Sequence, residues 1–209
     1  MHLIILGAFL AVANAASRTC HGDINHLHPS GKANGGVAAS NADVQHDVPA
    51  LNQHRNCYQQ SADHNCKSYQ QSADHNCIQA SVIAAIASRE SRGGTLLVAT
   101  GGYGDFGHAW GIMQCDIANS GLPCTSVPWD SCAHIEMLVN RLLVPYVNQV
   151  HNKFPSWSID QALQGAVAGY NGGVSRVTSW ANVDAGTTGH DYSNDVIARA
   201  KWLMANGWN

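Results

Sequence analysis

Ile78-Gln-Ala-Ser-Val-Ile-Ala-Ala-Ile-Ala-Ser-Arg-Glu-Ser-Arg92, closed by Gly93-Gly94, is the segment around which the rest of the chain has to be arranged. Val82, Ile83 and Ile86 recur at helical spacing, and the paired glycines supply a stop. One residue conflicts with this pattern. Glu90 lies four positions after Ile86 and eight after Val82, which puts it on the apolar side of its own helix. It also falls in the last turn, where the helix macrodipole is negative. Both placements disfavour a carboxylate and predict a raised pKa. A carboxyl that keeps its proton near neutrality can donate it to a glycosidic oxygen. The alternative is a structural Glu paired with Arg89, Arg92 or Arg141.

The flanking sequence predicts a mostly helical chain with a minor β element. Thr19 to Gly36 is rich in Gly, Asn and His and reads as an irregular lead-in. Val37 to Asn56 reads as helix, interrupted before Pro49. Thr95 to Asp116 is Gly-rich and suits a small hairpin with tight loops. Ser131 to Lys153 reads as a long helix with Ile135, Leu138, Leu142, Tyr146 and Val150 inward and a kink at Pro145. Ser158 with Gln161 forms a capping box for the next helix, and Asp191 to Asn206 is the last.

Two aspartates follow the Glu90 helix. Asp105 sits in Gly101-Gly-Tyr-Gly-Asp-Phe-Gly107, where glycines let the backbone turn tightly beside a ligand. Asp116 ends Gly111-Ile-Met-Gln-Cys-Asp116, and an extended run there would point Gln114 and Asp116 to one face. An inverting glycosidase needs such a carboxylate opposite its acid, with room for water between them. The plainer fate of each Asp is a turn or cap. Tyr170-Asn-Gly-Gly173 at a helix end offers a phenol and an amide to a sugar, or simply a helix stop.

The chain has 209 residues, 45 % of them hydrophobic, enough for one sizeable core. Leu3 to Val12 followed by Ala13-Asn-Ala15 has the form of a signal peptide over residues 1–15, leaving 16–209 as a single exported domain. Eleven Lys and Arg against fourteen Asp and Glu give a net charge of −3, which argues against nucleic acid as a partner. No run beyond the leader is long and apolar enough for a membrane span. Twelve histidines complicate the charge: protonating the eleven beyond His2 would turn −3 into as much as +8. Seven cysteines in an exported chain imply disulfides, and no C-x-x-C pair suggests a metal site. Tyr58-Gln-Gln-Ser-Ala-Asp-His-Asn-Cys66 recurs unchanged as Tyr69 to Cys77, an eleven-residue duplication that explains the odd count. Eleven residues advance a helix by about 1100°, close to three full turns, so the insert fits either a lengthened helix or a solvated bulge.

The order of these motifs resembles the goose-type lysozymes. It runs Ser88-Arg-Glu-Ser91, Gly104-Asp105, Gly111-Ile-Met-Gln114 with Asp116, and Gly169-Tyr-Asn-Gly172. Cys20-His-Gly-Asp-Ile-Asn25, Phe154-Pro-Ser-Trp157 and Asp191-Tyr-Ser-Asn-Asp-Val196 extend it over essentially the whole chain from Cys20. The resemblance implies the lysozyme superfamily fold, an α+β class that is predominantly α-helical, with a small β-hairpin region beside the cleft. It implies inverting hydrolysis of bacterial peptidoglycan by a secreted monomer, with no cofactor or metal. By position, Glu90 is the general acid. Asp105 and Asp116 handle the water, Asp116 being the first choice of base. Gln114, Tyr170 and Asn171 line the cleft. Cys20 and Cys77 match a family disulfide, whereas a second family pair is missing. Cys57, Cys66, Cys115, Cys124 and Cys132 are extra, as in invertebrate members, and Cys115–Cys124 is the pairing expected among them. The nearest rival is a lytic transglycosylase, which shares the Glu-Ser, Gly-x-Met-Gln and Tyr-Asn motifs but needs no water-activating Asp. A non-catalytic peptidoglycan-binding protein is the rival from another class.

Overall fold

A computed structural model describes residues 21–67 and 78–208, with backbone alone for 64–67. The leader, the second copy of the repeat and the Cys20–Cys77 pairing lie outside the described residues. Seven α-helices carry most of the rest: α1 (Gly36–Gln53), α2 (Arg55–Lys67), α3 (Ala80–Ser91), α4 (Cys132–Leu138), α5 (Val144–Lys153), α6 (Ile159–Gly172) and α7 (Tyr192–Ala205). A three-stranded antiparallel sheet of two-residue strands, β1 (Tyr103–Gly104), β2 (Ala109–Trp110) and β3 (Cys115–Asp116), stands between α3 and α4 in sequence.

Helix α3 is the centre of the molecule. It packs against α1, α2 and α7, while α6 packs on α5 and α7. Every residue from Ala80 to Ser88 is buried, so the helix is enclosed all round and not amphipathic as its stripe suggested. Alanine and serine on its remaining faces let neighbouring helices approach closely. Its stop comes one residue early, with Arg92 itself in the left-handed conformation (φ 52°) ahead of Gly93 and Gly94.

Two proline expectations are corrected. Helix α1 runs through Pro49 without interruption and ends at Gln53. The ring costs one backbone donor, but Pro49 and Gln45 both lie on the exposed side, where solvent serves the freed carbonyl. Buried Val44, Asp47, Ala50 and Leu51 hold the other face. Around Pro145 the interruption of the regular α-helix falls just ahead of the ring and not at it. A π turn at Val139–Leu143 comes just before it, so Pro145 falls in the first turn of α5, where no donor is missed. Of the five residues expected to face inward, Ile135, Leu138 and Val150 are buried. Leu142 and Tyr146 are half-buried and line an open cavity. The Ser158–Gln161 capping box forms as expected.

Cys115–Cys124 closes the loop after β3, as expected, and Cys57–Cys132 ties α2 to α4. The histidines do not act as one population. His21 and His134 are buried without hydrogen-bond partners among the described residues, and burial lowers the pKa of each to about 4. Neither contributes charge between pH 7 and 5, so the +8 ceiling is too high. Both stay neutral in the native state while the unfolded chain takes up protons near pH 6.5. Their contribution to stability is therefore lost as pH falls from about 6.5 toward 4.

The His134 ring fills the space beside Gly111, which has φ +80° and opens the run to Gln114. A Cβ there would stand 2.4 Å from the ring. Gly111→Ala should therefore cost about 1–3 kcal/mol, seen as a lower urea midpoint at unchanged slope.

Candidate active site

The site is built where the C-terminal end of α3 meets the sheet. Ser91 fixes that junction: its hydroxyl donates to Ile112 O at 2.7 Å and accepts from Gly94 N at 2.9 Å. Helix α6 adds a second tie, with Tyr170 Oη donating to Met113 O at 2.7 Å. Gln114 follows directly. Its backbone is left-handed (φ 51°), and its side-chain amide donates to Gly111 O at 2.8 Å. Gly104 makes room for it, since a Cβ at that position would fall 1.7 Å from Gln114 Oε1. The extended run expected from Gln114 to Asp116 is thus a turn into a two-residue strand. What Gln114 and Asp116 share is a cavity wall, not a strand face.

Two adjoining chambers meet at Gln114, which lines both. The smaller, about 410 Å³, contains Glu90 and Asp105 with Leu96, Tyr103 and Phe106. The larger, about 760 Å³, contains Asp116, Tyr170 and Asn171, with Tyr146, Arg176 and His190. All six residues expected at the site therefore line one or both of two cavities that share Gln114. The register explains how the aspartates come near each other. Gly104, Ala109 and Asp116 stand in a row across the three strands, so Asp105 and Asp116 emerge at the same end of the sheet. At about 4.8 Å per strand step, roughly 10 Å separates the ends of that row.

Glu90 is half-buried and accepts a hydrogen bond from Tyr192 Oη. Burial pushes its carboxyl up to about 7, against the opposing pull of that hydrogen bond and of the Arg89 charge. None of Arg89, Arg92 and Arg141 forms an ion pair with it. Arg89 turns instead to Asp195 (2.5 Å) and Asp191 (3.0 Å). Asp116 is shifted the other way. Asn119 Nδ2 donates to its Oδ2 at 2.9 Å, and the amides of Ala118 and Asn119 donate to Oδ1 at 2.9 Å each. The Asn119 side chain leads in lowering its pKa. Asp116 is thus a turn residue and a cavity residue at once. The Asp105 carboxylate has no hydrogen-bond partner among the described residues, and its backbone is left-handed (φ 43°). Asn171 Oδ1 accepts from Thr188 N at 2.8 Å, which leaves its NH₂ as a donor at the cavity. Among the described residues no cluster of three His, Cys, Asp or Glu side chains is arranged to hold a metal ion.

Residue motifs had not singled out Tyr192 or Arg176. Tyr192 opens α7 inside the Asp191 to Val196 motif, but nothing in its spacing indicates that it reaches across to Glu90. Arg176 follows the Tyr170-Asn-Gly-Gly173 stop on a short turn whose carbonyls are bound by Lys153 Nζ.

A family model for lysozyme g matches residues 18–207. The chain belongs to the lysozyme g family. It is accordingly an enzyme of the lysozyme class, with the small sheet and helical body expected of it. The chain is similar to a glycine, glutamate and proline-rich protein of Lottia gigantea, 48 % identical over 92 % of this chain. The match spans 46 % of that relative's own length. It is 32 % identical to a lysozyme g of Gallus gallus, over 99 % of this chain and 95 % of that protein. A lysozyme g of Takifugu rubripes is 46 % identical over 62 % of this chain and 68 % of its own length. Among the described residues no helix is long and apolar enough to cross a membrane.

The raised Glu90 has a thermodynamic signature. Its folded pKa lies above its unfolded one, so the stability it contributes is present below about pH 4.5 and lost as pH rises through 7. Glu90→Gln lacks this term. Its stability relative to the wild type should grow between pH 4 and pH 8 by on the order of 3 kcal/mol at most, measured by urea unfolding at each pH. A pH-independent difference would contradict a protonated Glu90. Tyr192→Phe removes a bond that favours the charged form, so the alkaline limb of kcat/KM should move to higher pH.

Proposed function

We propose that this enzyme is a secreted lysozyme. It hydrolyses the β-1,4 bond between N-acetylmuramic acid and N-acetylglucosamine in bacterial peptidoglycan with inversion, in antibacterial defence or digestion. The observation that carries this reading is a pair of carboxyls on either side of Gln114, one in each chamber, whose pKa values are pushed apart, Glu90 up to about 7 and Asp116 down. That division assigns acid and base. Glu90 gives its proton to the departing O4 of N-acetylglucosamine. Asp116, ionised, takes a proton from a water whose oxygen bonds to the anomeric carbon of N-acetylmuramic acid. A carboxylate offers about four lone-pair sites, and three hydrogen bonds to its own loop leave Asp116 one for the water while fixing its direction. Asp105, free of partners among the described residues, helps hold that water. Gln114, Tyr170 and Asn171 line the bound glycan. Acid, base and water suffice, so the mechanism calls for no metal or cofactor, and one chain supplies every group named.

Glu90→Gln should abolish lysis of a cell-wall suspension while preserving the fold, because the amide matches the shape but delivers no proton. Asp116→Asn should lower kcat more than Asp105→Asn, by about 10²-fold or more. The reverse ranking would transfer the base to Asp105, and loss in neither would overturn the inverting mechanism. Mass spectrometry of the digest should show reducing ends; 1,6-anhydro ends would identify a transglycosylase instead.

A further inference from the structure

The smaller chamber carries one feature the acid and base do not explain. Leu96 and Tyr103, which line it, are 60 % and 43 % exposed, and Phe106, which lines it too, is 103 % exposed, the most exposed large apolar residue described. Phe106 is also left-handed (φ 53°), directly after left-handed Asp105. Bulky side chains seldom adopt that conformation, and it persists where the surroundings impose it. A fully exposed ring among the residues that line the Glu90 chamber loses favourable burial that a ligand can restore.

The chemistry of the two chambers indicates which sugar does so. The residues lining the smaller chamber include no Lys, Arg or His, and they include Asp105. The larger chamber has Arg176 and His190. Arg176 has no carboxylate partner among the described residues, and Lys153 holds the turn that carries it with bonds of 2.7–3.1 Å to Val174, Ser175 and Val177 carbonyls. The muramic acid residue bears an anionic lactyl group or a peptide with free carboxylates. That residue suits the chamber of Arg176, whose one carboxylate, Asp116, is bound by its own loop, and is disfavoured beside Asp105, which has no such partners among the described residues. Its neighbour, N-acetylglucosamine, is uncharged and has a hydrocarbon ring face and an acetyl methyl.

Resting on the lysozyme reading, we infer that Phe106, in the same chamber as Leu96 and Tyr103, is the platform for the N-acetylglucosamine whose O4 leaves at Glu90. The sugar's CH face covers the ring, and the aromatic contact sets which residue of the alternating glycan enters the acid's chamber. The contact is made equally with substrate and transition state, so it acts on binding and not on the chemical step.

Three proteins test this: wild type, Phe106→Asn, which tolerates the left-handed backbone without a ring, and Phe106→Tyr, which keeps the ring. On chitohexaose, Phe106→Asn should raise KM about tenfold with kcat within about twofold, and Phe106→Tyr should restore KM. A readout independent of turnover is the affinity of chitotetraose for Glu90→Gln against Glu90→Gln/Phe106→Asn, by calorimetry. Equal affinities would overturn the inference, as would a Phe106→Tyr protein as weak as Phe106→Asn, which would assign the effect to the backbone. Wild type that cuts no glycan at all would instead sink the lysozyme reading, which the Glu90→Gln binding comparison does not depend on.

Discussion

A Glu90 whose carboxyl holds its proton toward neutrality, next to a half-buried arginine in the chain, is the constraint that everything else accommodates. A free guanidinium one residue away would pull the carboxyl toward ionisation. Here Arg89 is engaged by Asp191 and by Asp195, which is completely buried. Asp195 is shared with Arg199, whose other contacts are Asp43, Asp47 and the Ser88 hydroxyl. These residues come from α1, α3 and α7, the helices that enclose the core. Breaking one partner of such a buried network leaves an uncompensated charge, at about 3–5 kcal/mol. The network that seals the helices together is therefore the same one that offsets the pull of Arg89 on the acid.

The opposite wall of the cleft is made by backbone geometry more than by charge. Strands of two residues offer few ladder bonds, and three non-glycine residues there, Asp105, Phe106 and Gln114, have positive φ. Such conformations cost about 1–3 kcal/mol each. Ser91 and Tyr170 hold the following segment from two helices, at Ile112 and Met113 respectively. The strained turn is thus anchored immediately before Gln114, which separates the two chambers.

Much of this was legible in the sequence because it is local. Helical spacing located α3 and α7, the Ser158–Gln161 box gave the start of α6, and the stripe position of Glu90 gave the sign of its pKa shift. Residues that depend on distant partners were not legible. Tyr192 acts on Glu90 across 102 positions, and no periodicity encodes that. The all-round burial of α3 depends on what surrounds it, and its alanines look the same on an exposed face. Pro49 was overestimated as a breaker because the cost of its missing donor depends on exposure, which the sequence does not state. Counting histidines failed for the same reason, since burial decides which of them titrate.

The loop that carries Asp116 is closed by Cys115–Cys124, whereas Glu90 rests on a helix that no described disulfide touches. The two halves of the proposed chemistry are therefore secured by different kinds of bond. Of the two described disulfides, the one a reductant would open beside the site lies under Asp116 and not under Glu90. On the proposed roles, an oxidising medium then serves turnover as well as folding.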